Sequence, residues 1–445
     1  MIYTTNNNHM LIYNVERYTL NNNYLTTDGH YIVGTGYATG NKSTTKGVMN
    51  DAINAQTGVL YMVKKGLIIF LLMISMLGCS QQNKKDNQED SLKLILEKND
   101  YQVYEVTKVD HISKYVKERC QLEGSYDNYV YVHDLNKNNS REVIMEGFYF
   151  TSNHLIKYDP KKDDGDIVFE VDNTSRILHT CIVNENLIYY AKVQYKKINE
   201  NSDMLMPYCQ IIKWEQGVET IIDEFDMPNS TDGAQIRSVN GKVYYSKIEL
   251  DLKNDKIISS INEVGNYNPL WYYETSTNFD ENNYYLPLNH VSESNEYVAY
   301  SYTSKESSHI IYTDGNEVKD IKINGRVHFI AVVEDQIIFD GTIHGVIDCK
   351  DGSIHELDHF PHLARVETGE DGIVIGLSNS GSYLTIQRLD ENHLDVNIIY
   401  ELGSETTYTI EHISNNEFLV YFIDHLVDEE GINYIKNKLY IIKVK

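Results

Sequence analysis

The chain has 445 residues, 65 of them acidic and 39 basic, for a net charge of −26 at pH 7. Such a charge repels phosphate backbones and anionic lipid headgroups, which weighs against nucleic acid as a partner. Five cysteines, Cys79, Cys120, Cys181, Cys209 and Cys349, include no C-x-x-C pair, which leaves zinc-ribbon and thioredoxin-type chemistry without support.

Residues 1–61 are rich in Asn, Thr and Tyr and show little continuous apolar patterning. They read as an unstructured leader or as an over-extension of the gene upstream of a true start at Met62. Thr57-Gly58-Val59 can be encoded with AGGAG, a ribosome-binding sequence, a short way before the Met62 codon. Within this leader, Gly34-Thr-Gly36-Tyr-Ala-Thr-Gly40 approximates G-x-G-x-x-G with one residue too many before the last glycine. No helical stripe follows it, and Asn41 stands where a phosphate loop needs Lys, so no cofactor site is expected there.

Residues 62–78 have the layout of an export signal. Lys64 and Lys65 supply the positive charge, and Leu67 to Leu77 form a short apolar run interrupted only by Ser75. The run is shorter than the roughly 20 apolar residues an ordinary bilayer span requires. Cys79 follows Gly78 directly, and residues 80–90, Ser-Gln-Gln-Asn-Lys-Lys-Asp-Asn-Gln-Glu-Asp, are abruptly polar, as suits a flexible tether. The stretch Met76-Leu-Gly-Cys79 resembles a bacterial lipobox, with Met76 where Leu is usual and Leu77 where a smaller residue is commoner. That resemblance implies cleavage before Cys79, diacylglycerol on its thiol, and a protein held by membrane lipid on the extracytoplasmic face.

Residues 91–123 read as a lead-in region. Leu92, Leu94 and Leu96 alternate with other residues, as do Tyr104 and Val106, so short strands are expected, and His111 to Arg119 has room for one or two helical turns.

From 124 to 445 the pattern is all-β: short runs of Ile, Val, Tyr and Phe separated by Asn, Asp, Gly and Ser. A unit recurs in which an apolar residue or pair, a polar turn and an apolar-aromatic run follow one another. Copies are Ile182–Tyr190, Ser238–Tyr245, Val291–Tyr300, Val332–Phe339, Val366–Ile375 and Ile413–Tyr421. Anchored on Leu187, Val243, Tyr297, Ile337, Ile373 and Phe418, the intervals are 56, 54, 40, 36 and 45 residues. They average about 46, the length of a four-stranded propeller blade. Further hairpins are expected at Cys209–Val218 and Ile310–Val318, the latter turning at Asp314-Gly315. Asn128–Val132 and Gly147–Phe150 suggest one or two more blades. The expected fold is therefore a β-propeller, seven-bladed with six or eight as the neighbouring counts, closed by Leu439–Val444 pairing with strands from the amino-terminal part. A pair of β-sandwiches is the competing architecture.

Lipobox, tether and degenerate all-β repeats together resemble the propeller lipoproteins of low-GC Gram-positive bacteria, whose blades are broadly similar to those of TolB-like propellers. The resemblance runs from Cys79 to the carboxyl end. No WD or YWTD-type signature recurs.

Catalytic motifs are weak. His355-Glu-Leu-Asp-His359 spells H-E-x-x-H, but Asp351-Gly352 before it and Pro361 after it place it on a strand and loop. On a strand the two histidines would stand roughly 13 Å apart, too far for one zinc, and His362 could join only if the loop folded back. Gly376-Leu-Ser378-Asn-Ser-Gly381 misses the nucleophile-elbow spacing by one residue. Asp159-Pro-Lys-Lys-Asp163-Asp-Gly-Asp166 has calcium-friendly oxygens but Lys161 where a ligand is needed. His344 has no ligand partner nearby in sequence, and the acidic stretch from Asp424-His425 to Glu430 reads as a loop. No catalytic, cofactor or metal residue is assigned; the one site residue is the lipidation candidate Cys79. Two functions remain: a binding or scaffold module for protein, peptide or glycan, and a propeller enzyme, a lyase or glycan-acting hydrolase with its site at the central channel. The side chains at the channel mouth discriminate between them, since converging His, Arg and carboxylates with water-excluded geometry favour an enzyme and scattered Tyr, Asn and Ser favour binding.

Overall fold

The computed structural model describes residues 91–445 except 117–118, 138–149, 198–204, 229–233, 278–287, 304–306, 357–362, 370–372, 379–382, 391–392, 402–405 and 428–432, together with four short strands before residue 34. The chain divides into two units, Met1–Glu89 and Asp90–Lys445. In the first, Ile2–Asn6 pairs with His9–Tyr13 and Asn23–Leu25 with Tyr31–Val33.

The second unit is an all-β propeller of successive antiparallel sheets. Sheet 1 holds Arg119–Tyr126, Tyr129–Lys137, His154–Asp159 and Asp164–Glu170, with the short Phe150–Thr151 against its second strand. Sheet 2 is Arg176–Asn184, Leu187–Lys197, Leu205–Glu215 and Val218–Asp226. Sheet 3 is Ile236–Val239, Lys242–Asp251, Lys256–Glu263 and Trp271–Ser276, and sheet 4 is Leu288–Glu293, Val298–Thr303, Ser308–Thr313 and Val318–Ile323. Sheet 5 is Val327–Val333, Gln336–Gly341, Gly345–Asp348 and Ile354–Glu356. Sheet 6 is Leu363–Thr368, Ile373–Ser378, Tyr383–Asp390 and His393–Glu401. Sheet 7 runs Thr406–Ser414, Glu417–Val427 and Asn433–Val444, then takes Tyr101–Val106 and finally Leu92–Glu97 from the other end of the unit. The first strand of every sheet lies beside the first strands of the sheets before and after it, and that of sheet 7 lies beside that of sheet 1, so the ring is closed.

All six sequence repeats mark the same place, the turn between the first and second strand of sheets 2 to 7. The expected hairpins at Cys209–Val218 and Ile310–Val318 join the third and fourth strands of sheets 2 and 4. Turn chemistry follows the residues: Asn240 and Gly241 both have positive φ, 51° and 76°, as a two-residue I′ hairpin requires.

The core consists of layers between neighbouring sheets. Tyr190 packs with Phe169 and Tyr131 of sheet 1, while the next-door Tyr189 packs with Val243 and Tyr245 of sheet 3. In the same way Tyr244 faces Tyr300 and Tyr302 of sheet 4, and Tyr245 faces sheet 2. Successive side chains of a strand point to opposite faces. A second strand buried on both faces is therefore apolar or aromatic at most positions, which is why the repeats read as nearly continuous runs. Ile441 pairs with Tyr104 and Ile442 with Val103, so the closure expected between the two ends is present. The lead-in region supplies two strands of sheet 7 and, from Arg119, the opening strand of sheet 1. Its helical turn is the short 3-10 segment Ile112–Lys114. Asp424 and His425, expected in a loop, lie inside the strand Glu417–Val427.

Cys120, Cys181, Cys209 and Cys349 are buried and form no disulfide among the described residues. No helix among the described residues is long and apolar enough to cross a membrane.

Candidate functional site

The first strands line the axis of the ring, and four of them bring ionisable side chains together. In sheet 1 the register slips between Leu122 and Gly124, leaving Glu123 as the extra residue of a β-bulge. In sheet 2 a slip between Ile177 and His179 sets the following residues, His179 and Thr180. Bulges re-aim side chains that a regular pleat would point elsewhere. Arg237 of sheet 3 and Glu293 of sheet 4 complete the set.

The contacts run from sheet to sheet. Glu123 Oε1 is 2.9 Å from His133 Nδ1, with both side chains essentially fully buried. The Thr180 backbone N–H and hydroxyl approach Glu123 Oε2 at 2.8 and 3.2 Å. Arg237 Nη1 meets Nε2 of the His179 ring and also donates to the Ile236 carbonyl at 3.0 Å. Arg237 Nε lies 3.5 Å from Glu293 Oε2. The Tyr300 hydroxyl, in the second strand of sheet 4, is fully buried beside Arg237 and Glu293 and finds no hydrogen-bond partner among the described residues.

Burial and charge set the protonation states. Burial pushes the His179 imidazole down, Arg237 pushes it further, and it falls to about 3, so the ring is neutral and can accept from the guanidinium. Burial acts to raise the Glu123 carboxyl, but His133, His179 and the Thr180 N–H outweigh it and hold it below the usual range. Glu293 goes the other way: burial raises it more than Arg237 and the Ser238 N–H lower it. Its side chain nevertheless keeps 43% of its surface and that of Arg237 19%, so both reach solvent while protein surrounds them.

This geometry separates two parts. Glu123 and His133 are sealed between strands, beyond the reach of a ligand. Arg237 and Glu293 present a guanidinium and a carboxylate side by side, an arrangement that can bind a polar ligand or, through the raised Glu293, exchange a proton with one. Among the described residues no group of three or more metal-capable side chains comes together.

None of the motifs found by sequence joins this network. Cys79, the Gly34–Gly40 stretch, His359 and His362 lie outside the described residues. His355 is exposed on the last strand of sheet 5, with Ser353 Oγ at 3.2 Å. Asp159 and Asp163 serve a turn: Asp159 accepts from the Lys161 N–H and pairs with Lys162, and Asp163 accepts from the His111 N–H and the Tyr158 hydroxyl. Ser378 ends the second strand of sheet 6. Sequence reasoning missed Glu123, His179, Arg237 and Glu293. The available signal was a charged or imidazole residue four to eight residues before the anchors Leu187, Val243 and Tyr297; no anchor marked Glu123.

No known family profile matches the chain, and no curated protein matches it. Solved structures do. The WD40 domain of coronin from Toxoplasma gondii is 9% identical, with 79% of this chain and 88% of that one covered and a TM-score of 0.41. The PQQ-bound aldose sugar dehydrogenase from Streptomyces coelicolor is 10% identical over 78% of this chain and 98% of its own, with a TM-score of 0.39. The acylaminoacyl peptidase of Pyrococcus horikoshii is 13% identical, covering 76% of this chain and 58% of the peptidase, with a TM-score of 0.40. At such identities no activity named in those proteins carries over.

Proposed function

We propose that the chain is a lipid-anchored lipoprotein on the extracytoplasmic face of a bacterial membrane, and that its propeller, with each of the seven sheets as one blade, is a binding or scaffold module. The anchor reading rests on the order of charge, short apolar run, Gly78, Cys79 and polar tether. Two or three acyl chains hold a protein far more firmly than one. The binding reading is carried by one observation: Arg237 is already engaged, with neutral His179 as a hydrogen-bond acceptor on one side and the Glu293 carboxyl group on the other. The network ties sheets together and offers the channel a polar pair rather than a free nucleophile with its base. The partner is a protein, peptide or glycan outside the cell.

The test of the anchor is the intact mass of the amino-terminal peptide from membrane-extracted protein. An acylated peptide beginning at Cys79 supports the reading; an unmodified Cys79 within a longer peptide sinks it.

The second reading is a propeller enzyme, a lyase or glycan-acting hydrolase. His179, Arg237 and Glu293 converge as such a site would, and Glu293 has the raised pKa of a proton-transfer group. Here Glu293→Gln abolishes turnover of a polysaccharide substrate while leaving the fold intact. A substrate panel that shows no turnover by the unmodified protein leaves binding as the function.

A further inference from the structure

The outer strand of each sheet is an edge, and among the described strands six of the seven outer ones are blunted against pairing with another chain. Four carry a bulge: Val168 in sheet 1, Ile222 in sheet 2, Ile399 in sheet 6 and Ile95 in sheet 7 are the extra residues where the register slips. In sheet 4, Val318–Ile323 has Lys319, Asp320 and Lys322 among its six residues, and in sheet 5 Ile354–Glu356 is only three residues long. Bulges, charges and shortness all keep an edge from serving as a template.

Sheet 3 has none of these devices. Trp271–Ser276 pairs residue for residue with the neighbouring strand, from Trp271 opposite Ile261 to Ser276 opposite Lys256, without a slip. No described strand lies on its other side. Its one charged residue is Glu274, which Lys256 holds at 2.6 Å. The Thr277 N–H donates to the Asp255 carbonyl at 2.9 Å, which sets the phase of the ladder. Alternation then turns the backbone N–H and C=O of Tyr273 inward and those of Tyr272 and Glu274 outward. The side chains of Tyr272 and Tyr273 are 61% and 40% exposed. Trp271 makes the strand rigid: its ring packs on Tyr302 with centroids 4.9 Å apart, and its Nε1–H donates to Asp320 Oδ2 of sheet 4 at 2.8 Å. We infer that Trp271–Ser276 is a strand-addition site, which takes an extended basic segment of a partner protein as a fifth strand of sheet 3.

The outward backbone groups of Tyr272 and Glu274 bind an extended chain of any sequence, and the side chains select among such chains. Opposite Tyr272 and Tyr273 the favoured residues are β-branched or aromatic, and opposite Glu274 they are Lys or Arg. Charge decides against a second copy of this chain, since −26 would meet −26, and favours a basic segment, which the field of the chain draws in. The inference rests on the binding reading of the propeller and narrows its ligand to a peptide. The surface is distinct from Arg237 and Glu293, which lie on first strands at the axis, whereas Trp271–Ser276 is the outermost strand.

The test selects a displayed library of random peptides on the full chain, and the enriched peptides are then synthesised. Glu274→Pro removes an outward N–H and spares the inward ladder, because an edge strand tolerates proline where its N–H faces solvent. Glu274→Gln removes the charge alone. The enriched peptides should carry Lys or Arg among β-branched or aromatic residues. They should bind Glu274→Pro about tenfold or more weakly, and Glu274→Gln within about threefold of the unmodified chain. Amide hydrogen exchange on the unmodified chain does not depend on how the proline variant folds, and bound peptide should slow it at Tyr272 and Glu274. Peptides that bind Glu274→Pro undiminished and slow exchange elsewhere, as around Arg237 and Glu293, overturn the edge and leave the binding reading standing. A library that yields no binder also overturns the edge, and leaves a glycan as the ligand of the binding reading. An unmodified chain that dimerises, with a dimer that Glu274→Pro dissolves, gives the strand to a second copy and overturns the peptide.

Discussion

Glu123 and His133 face each other across the first two strands of sheet 1, with Oε1 and Nδ1 2.9 Å apart and neither side chain open to water. A buried pair of this kind contributes little net stability against an apolar replacement, but removing one member strands the other. Glu123→Gln or His133→Ala should each lose about 3–5 kcal/mol. Replacing both by apolar residues should lose much less. Urea unfolding of the two single variants and the double variant checks this; additive losses would show that the two residues do not act as a pair.

Acid should weaken the ring in two stages. His179 is pushed down to about 3 from 6.5, so the unfolded chain binds its proton first. Its contribution is complete above pH 6.5 and declines as pH falls below that, by up to about 1.4 kcal/mol per unit. Glu123 is also lowered, from 4.5, so its contribution is complete above that value and is lost only below it. Unfolding free energy measured against pH should therefore slope between 6.5 and 4.5, and His179→Gln should flatten that segment. An unchanged slope in the variant would assign the dependence elsewhere.

Deleting residues 91–106 removes the strands that complete sheet 7. Tyr440 to Val444, which pair with Tyr101–Glu105, would become an exposed apolar edge. The truncated protein should aggregate and lose cooperative unfolding, as read by calorimetry and light scattering. A monomeric, cooperatively folding truncation would show that the closure is dispensable.

The four buried cysteines should be unreactive while the ring is folded. Burial pushes the Cys181 and Cys349 thiols up to about 12 and raises Cys120 and Cys209 as well, so almost no thiolate is present at neutral pH. A thiol reagent applied to residues 91–445 should modify none of them until denaturant is added. Rapid labelling of any one in buffer would mark a sheet that opens locally.

Much of the ring was legible because its signal is local. In sheets 2 to 7 a polar turn sits between a first strand and a second strand buried on both faces, and Asn240-Gly241 or Asp314-Gly315 fixes the turn. In sheet 1 the same hairpin was harder to read, because Gln121, Glu123 and Ser125 interrupt the apolar run before its turn at Asp127-Asn128. Leu92, Leu94 and Leu96 announced a strand, but its membership of sheet 7 depends on pairing across more than 300 residues, for which no local pattern exists. The network is illegible for the same reason. Glu123, His179, Arg237 and Glu293 stand 56 to 58 residues apart in the sequence, and only the packing of neighbouring first strands and the bulges make them neighbours.

The way the two ends interlock also sets how the protein bears load. Tension arriving through residues 80–90 acts first on Leu92–Glu97, the outermost strand, which peels from Tyr101–Val106 one hydrogen bond at a time. The ring itself is latched one strand further in, where Tyr101–Val106 pairs with Tyr440–Val444. A pull on that end can therefore strip the outer strand and free its six residues, at roughly 3.3 Å each, while the propeller stays shut.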